Sequence, residues 1–347
     1  MSETEQTTLS RLSKSDPADP PSAEYGPSAR RSLKQPLTEH SEVSLRREVL
    51  DEDRDGIRPV AWRDGVWRWR DWYEESAETQ AVFENVEGET VKGGDPNRFH
   101  PDYGDKQYAK LKDLERGVKE DYGKRLHTAM LTLTASSTDA DGEPLPPVDH
   151  LNELLSSWEA VTRELRRCME GQRYERLAIL EPHKSGYLHV HIAVFVEGKV
   201  TRETFAPVIH AHLRNCDFAG DDAHDVEDDN TISVRWAGGD RGDEDGDHLD
   251  ELAIYLAEYL GTYGEDPLEQ PEHVQKANAV LWATERQRWR PSNGAQEYMA
   301  TNQSPPDPDW ELVGIEDGDG EVHEVGDGPN SPTKLPTMIP GQPPPDG

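Results

Sequence analysis

Cysteine is nearly missing. The 347 residues hold two, Cys168 and Cys216, and neither sits in a C-x-x-C pair. This excludes a disulfide scaffold and fits a reducing interior. No apolar run approaches the roughly 20 residues of a membrane span, and the N-terminal stretch MSETEQTTLSRLSKSDPADPPSAEYGPSARRS has no apolar signal core. The chain therefore reads as cytoplasmic, with no membrane partner. A G-x-x-x-x-G-K-[ST] loop is also missing, which excludes the usual ATP-phosphate cradle. Hydrophobic residues make up only 33%, against 28 Gly and 26 Pro, so much of the length reads as tail rather than core.

Basic residues are scarce as well: 37 Lys and Arg stand against 70 Asp and Glu, a net charge of −33. Ordinarily this marks a protein that avoids nucleic acid. A salt-rich cytoplasm gives a second reading, in which a dense acidic surface keeps the protein hydrated and screening shortens the reach of each charge. The heavy excess of Asp over Lys favours that reading. Acidity then ceases to argue against a DNA partner, but phosphate contacts must come from local basic clusters.

Four segments follow from composition and periodicity. Residues 1–55 are rich in Ser, Pro, Glu and Asp and read as a disordered tail. A Trp/Arg-rich extension covers 56–104. Its segment Trp62 to Tyr73 alternates tryptophan with arginine and reads as a short amphipathic strand or hairpin packed on the main domain, with a single-strand stacking surface as the alternative. The main domain spans 105–290. Within it we expect a helix over 105–122, a strand over 127–134, a long helix from Asp149 to about Glu170, a hairpin around 177–195, a helix over 201–215 and a strand over 231–236. Helices over about 249–263 and 269–288 complete it. Residues 291–347 read as a disordered acidic, Pro-rich tail. The order β-α-β-β-α-β-α between 127 and 263 predicts an α+β fold, a split-βαβ (ferredoxin-like) antiparallel sheet with helices on one face.

The chemistry concentrates in Glu181 to Phe195, EPHKSGYLHVHIAVF. Side chains alternate along a strand, so His189 and His191 share one face while Val190, Ile192 and Val194 share the other. Lys184-Ser185-Gly186 supply the turn, which brings Glu181 back towards the imidazoles. Two imidazoles and a carboxylate make a three-ligand metal site with open positions for substrate oxygens and water. His183 is a substitute ligand. His210 and His212 form a further H-x-H, but on a predicted helix they diverge and read as surface residues. A second group lies downstream: Tyr255 and Tyr259 are four apart and share a helix face. A phenol serves as nucleophile towards phosphate when a nearby cation polarises the phosphoryl oxygen.

Leu188 to Phe195 resembles the His-hydrophobic-His motif of the rolling-circle replication initiators, the HUH endonucleases. Tyr255-Leu256-Ala257-Glu258-Tyr259 resembles their Tyr-x-x-x-Tyr motif, and Met130 to Thr134 looks like their first-strand motif. The resemblance covers about 105–290, and the acidic composition points to the initiators of haloarchaeal plasmids and viruses. It implies that His189, His191 and Glu181 bind Mg²⁺ or Mn²⁺, that Tyr259 attacks the DNA phosphate and that Tyr255 acts in the second transfer. Glu258 stands where many relatives carry Lys, which leaves Lys184 or Arg235 to serve in its place. The implied partners are single-stranded or hairpin origin DNA, a host helicase and a DNA polymerase. A relaxase or single-strand transposase shares this chemistry. A non-catalytic DNA-binding regulator with a structural ion is the reading from a different class. An RNA-binding domain is disfavoured, because the exposed strands show no aromatic stacking pair.

Overall fold

The computed structural model describes residues 31–54, 56–77, 79–93, 97–236, 266–299, 310–317 and 320–324. Among these, the strands and helices in chain order are β1 (Leu50–Asp53), β2 (Gly56–Pro59), α1 (Trp62–Ala77), β3 (Gln80–Asn85), β4 (Thr90–Gly93), α2 (Pro101–Tyr122), β5 (Leu126–Leu133), α3 (Pro147–Ser156), α4 (Trp158–Cys168), β6 (Tyr174–Pro182), β7 (Leu188–Glu197), α5 (Arg202–Asn215), β8 (Ile232–Trp236), α6 (Glu272–Ala283), β9 (Trp289–Pro291), α7 (Asn293–Met299), β10 (Trp310–Glu316) and β11 (Val322–Glu324).

The main sheet is antiparallel, with strands in the order β8-β5-β7-β6-β9. β5 and β6 run parallel to each other with β7 antiparallel between them, which is the split βαβ arrangement expected from the sequence. Its two faces follow from strand alternation. Val190, Ile192, Val194 and Val196 of β7 join Leu151, Leu154, Val161 and Leu165 of α3 and α4, and Phe205, Val208 and Ile209 of α5, in one core. Each such apolar side chain contributes roughly 2 kcal/mol through burial. On the other face, Leu177, Ile179, Ala193 and Phe195 pack against Leu111, Leu114 and Val118 of α2 and Ala295 and Met299 of α7. Helices thus cover most of one face and one end of the second. α2 begins at Pro101, with His100 Nδ1 accepting the Asp102 N–H at 3.2 Å. Pro suits a first helical turn because its missing N–H would have had no helical partner.

Several expectations are corrected. Trp62 to Tyr73 is helical, part of α1, not a strand or hairpin. The Trp-Arg alternation spans only a few residues, whereas Trp62, Trp69 and Tyr73 recur at helical spacing and are all buried. Trp72 lies 5.5 Å from Trp282 of α6, and the Arg46 guanidinium sits over both rings at 5.3 and 5.2 Å. The aromatic segment is therefore chiefly a packing element, although Trp67 is exposed. The long helix from Asp149 breaks at Ser157, whose hydroxyl bonds Leu154 O and His212 Nδ1. The helix expected over 269–288 ends at Ala283. The chain reverses through Glu285 (φ 55°) and adds β9 to the sheet edge.

The tails expected to be disordered reach too far inward. Leu37 and Val49, inside 1–55, are fully buried in the main core. From 291–347, β10 pairs with β3 in a second, four-stranded sheet of order β11-β10-β3-β4. No described helix is long and apolar enough to cross a membrane.

Candidate metal centre

β6 and β7 pair in a register that sets Glu181 opposite His189 and Ile179 opposite His191. The connecting turn closes through His183 N–H to Tyr187 O (2.8 Å) and Gly186 N–H to His183 O (2.7 Å). Gly186 has φ +93°, and a Cβ there would come within 2.8 Å of Lys276 Cβ. Only glycine fits that turn, so α6 braces the hairpin from behind.

The three expected ligands converge. One ligand atom from each of Glu181, His189 and His191 lies within 4.8 Å of the others. Glu181 Oε2 is 3.0 Å from His189 Nε2 and in closer contact still with His191 Nε2. The two imidazole rings are 4.6 Å apart. Glu181 and His191 are only 9% and 7% exposed. Burial alone would raise the Glu181 carboxyl, but hydrogen bonding and charge from His189 and His191 outweigh it and hold the group at about 2. The donor set fits a divalent cation. Glu181 Oε2 and His189 Nε2 are buried and 3.0 Å apart, and buried polar atoms that converge on one point suit an ion bound between them.

Thr132 of β5, opposite His191 in the sheet, places its Oγ1 3.1 Å from His191 Nδ1. With Nδ1–H donating to the hydroxyl, the Nε2 lone pair faces the centre. Thr132 belongs to the first-strand motif, but its contact with His191 was not anticipated. The signal was there: Thr132 occupies the same face of its strand as the histidines do of theirs.

The centre opens into a cavity of about 720 Å³. His183 of the hairpin, Arg235 of β8, and Asp222, Asp225, Asp228 and Asp229 from the segment before β8 line it. The acidic wall was not foreseen. The His183 ring lies 6.3 Å from that of His189. Burial, then the neighbouring His189 charge, pushes the His183 imidazole below its ordinary range. Lys184, the other proposed basic substitute, belongs to the hairpin turn. Tyr255 and Tyr259 lie outside the described residues.

Behind the open end, the chain after β5 is tied down by buried histidines. His212 Nε2 bonds Thr134 O at 2.8 Å, His150 Nε2 bonds Ala135 O at 3.1 Å, and His224 Nε2 accepts the Thr134 N–H at 3.1 Å. His212 is fully buried, which corrects the surface reading, while His210 is exposed as expected. Burial pushes the imidazoles of His150 and His212 down to about 4, despite their backbone hydrogen bonds.

Residues 34–347 match the profile of a family described as "Putative rep protein (DUF1424)". The chain belongs to this family. The DUF1424 description points to a replication initiator, in keeping with the resemblance in its motifs. Two relatives, each named "Uncharacterized 36 kDa protein", extend the match. One, from Halobacterium salinarum, is 46% identical over 88% of this chain and 98% of its own length. The other, from Halobacterium sp. (strain GN101), is 42% identical over 87% and 96%. No solved structure matches. The haloarchaeal source of both relatives agrees with the salt-rich reading of the acidic composition.

Proposed function

We propose that this DUF1424 protein is a rolling-circle replication initiator of the HUH endonuclease type, nicking and rejoining single-stranded or hairpin origin DNA. The observation that carries this reading is the convergence of Glu181, His189 and His191 at the open end of a split-βαβ sheet. A bound divalent cation would supply charge neutralisation at a phosphoryl oxygen. Mn²⁺ suits two imidazoles and a carboxylate better than Mg²⁺, which prefers oxygen ligands. Thr132 holds the His191 ring in register. Arg235 and His183, on the cavity wall, are the groups available to a phosphate entering there.

Tyr259 Oη attacks the phosphorus. The bond to the 3′ oxygen breaks, that oxygen leaves as a 3′-OH, and the protein retains a 5′-phosphotyrosine. A polymerase extends the 3′-OH while a separate helicase opens the duplex. Tyr255 then attacks the regenerated junction, and the newly freed 3′-OH displaces the first tyrosine to close a circle. Each step exchanges one phosphodiester for another, so the transfers need no ATP.

The test uses 3′-labelled single-stranded oligonucleotides tiling the replicon that encodes the chain, incubated with the full protein and Mn²⁺. A covalent adduct on a denaturing gel is the expected result, falling by at least about 100-fold in His191→Ala. An adduct that persists when Tyr255→Phe and Tyr259→Phe are combined refutes the tyrosine assignment. The second reading, a DNA-binding regulator with a structural ion, draws on the four aspartates of the cavity wall, which repel phosphate. Tight Zn²⁺ binding with no adduct on any oligonucleotide would favour it.

A further inference from the structure

In a chain with nearly two acids for each base, residues 286–296 contain three arginines and no acid. Arg286, Arg288 and Arg290 line a cavity of about 520 Å³ whose floor includes Ala178, Leu180 and Val190. Those residues alternate with the metal-facing positions, so the cavity lies on the opposite face of the sheet, at the β9 edge. Trp158 also lines it, whereas Trp289 at its edge stands opposite Ile179 and packs into the cluster on the other face. The Arg176 guanidinium sits 5.2 Å over the Trp158 ring, with Nη1 buried and lacking a hydrogen-bond partner.

Arg286 donates to Asn152 Oδ1 at 2.6 Å, and Arg288 bonds the Asn278 amide oxygen. Arg98, whose charge reaches Arg288, donates to the carbonyls of Leu281, Glu285 and Arg286. None of Arg176, Arg286 and Arg290 forms an ion pair with a described carboxylate. Arg176 is held below its ordinary range chiefly by burial, with the like charges of Arg290 and Arg166 adding to it and Tyr174 and Glu175 opposing it. With acids so abundant elsewhere, Arg176, Arg286 and Arg290, which have no ion pair with a described carboxylate, give the groove a positive potential suited to a polyanion. Indole and guanidinium planes beside it suit unstacked bases.

We infer that this groove is a second nucleic-acid contact, holding single-stranded DNA that flanks the nick after it passes over the short β9 edge. The identity of the polymer rests on the proposed nicking function. The groove supplies what the metal cavity lacks, since four aspartates face a strand entering there.

The test measures fluorescence anisotropy of labelled oligo(dT) with the full-length protein across a KCl series. Each phosphate contact on a single strand adds about 0.7 to the slope of log affinity against log salt. Arg290 is exposed and unpaired, so replacing it leaves the core intact. Arg290→Ala is expected to lower the slope by about 0.7, with Arg290→Lys restoring it. Arg286→Ala should give a second decrement of similar size. Arg63→Ala, an exposed arginine on α1, should leave the slope unchanged. An unaltered slope in Arg290→Ala overturns the inference, as does an equal loss in Arg63→Ala. Displacement by polyglutamate as effective as by unlabelled oligo(dT) also overturns it, because the groove would then suit an acidic peptide. The slope requires no cleavage, so this inference and the nicking reading fail independently.

Discussion

One face of the main sheet carries two regions built from the same strands. At one end Leu177, Ile179, Ala193 and Phe195 are sealed under α2 and α7. At the other, Glu181, His189 and His191 point into an open cavity. The alternation of β7 runs unbroken from His189 to Phe195, so the backbone is the same device throughout. What changes is the cover, and with it the kind of stabilisation: dispersion and burial at the closed end, polar contacts at the open one. The closed end fixes the geometry of the open end, because both lie on a single register.

The largest test of that division is Phe195→Ala. Phe195 is buried against α2 and α7, and truncation of such a ring costs about 3–5 kcal/mol. Denaturant melts should show that loss, while Mn²⁺ affinity measured on the folded fraction should stay within a few-fold of the parent. A parallel collapse of metal binding would break the comparison and make the two ends one cooperative unit.

The next effect comes from pH and acts on the chain that leaves β5 beside the open end. His150 and His212 anchor the chain leaving β5 and are held near 4 by burial. An unfolded histidine takes up its proton near 6.5, well before the native one does. The unfolded chain therefore binds more protons between these values, and stability falls as pH drops from about 6.5 to 4. The contribution is up to about 3 kcal/mol per group by linkage. Below about 4 the two states titrate alike and this loss levels off. Melting temperatures across that window should decline, and a flat profile would show that the histidines are not held neutral in the fold.

How much of this was legible in the sequence differs between the two ends for the same reason. The H-x-H strand and Glu181 could be read because β alternation is strict and a short turn returns the chain on itself, so three polar residues had only one way to meet. The split βαβ order followed from elements of strong periodicity. The cover was not legible: nothing local in Leu111, Leu114 and Val118 says which face of the sheet α2 will choose. Trp62 to Tyr73 misled because a run of W-R-W-R mimics a strand over four residues, while the helical spacing of its buried rings emerges only over a dozen. The strand Trp310–Glu316 was lost in a low-hydrophobicity tail because its partner, β3, lies more than 200 residues earlier, and pairing at that distance leaves no local mark. Arg286 and Arg288 were read as the end of a helix, with Arg290 just beyond it. Their convergence on Trp158 depends on the reversal at Glu285.

The smallest expected effect probes the boundary between the two ends. Thr132 sits opposite His191, one strand away, and its hydroxyl is the contact seen at His191 Nδ1. Thr132→Val keeps the shape and removes the hydrogen bond, leaving the ring free to tilt and to change tautomer. Loss of such an orienting partner lowers metal affinity by about 10–100-fold, while the deleted hydrogen bond alters stability by only about 1 kcal/mol. Titration calorimetry with Mn²⁺ on Thr132→Val and on His191→Ala should therefore give an intermediate affinity for the first and no detectable site for the second. Equal binding by Thr132→Val and the parent would mean that strand pairing alone orients the imidazole, and that the open end needs no polar partner beyond its own three ligands.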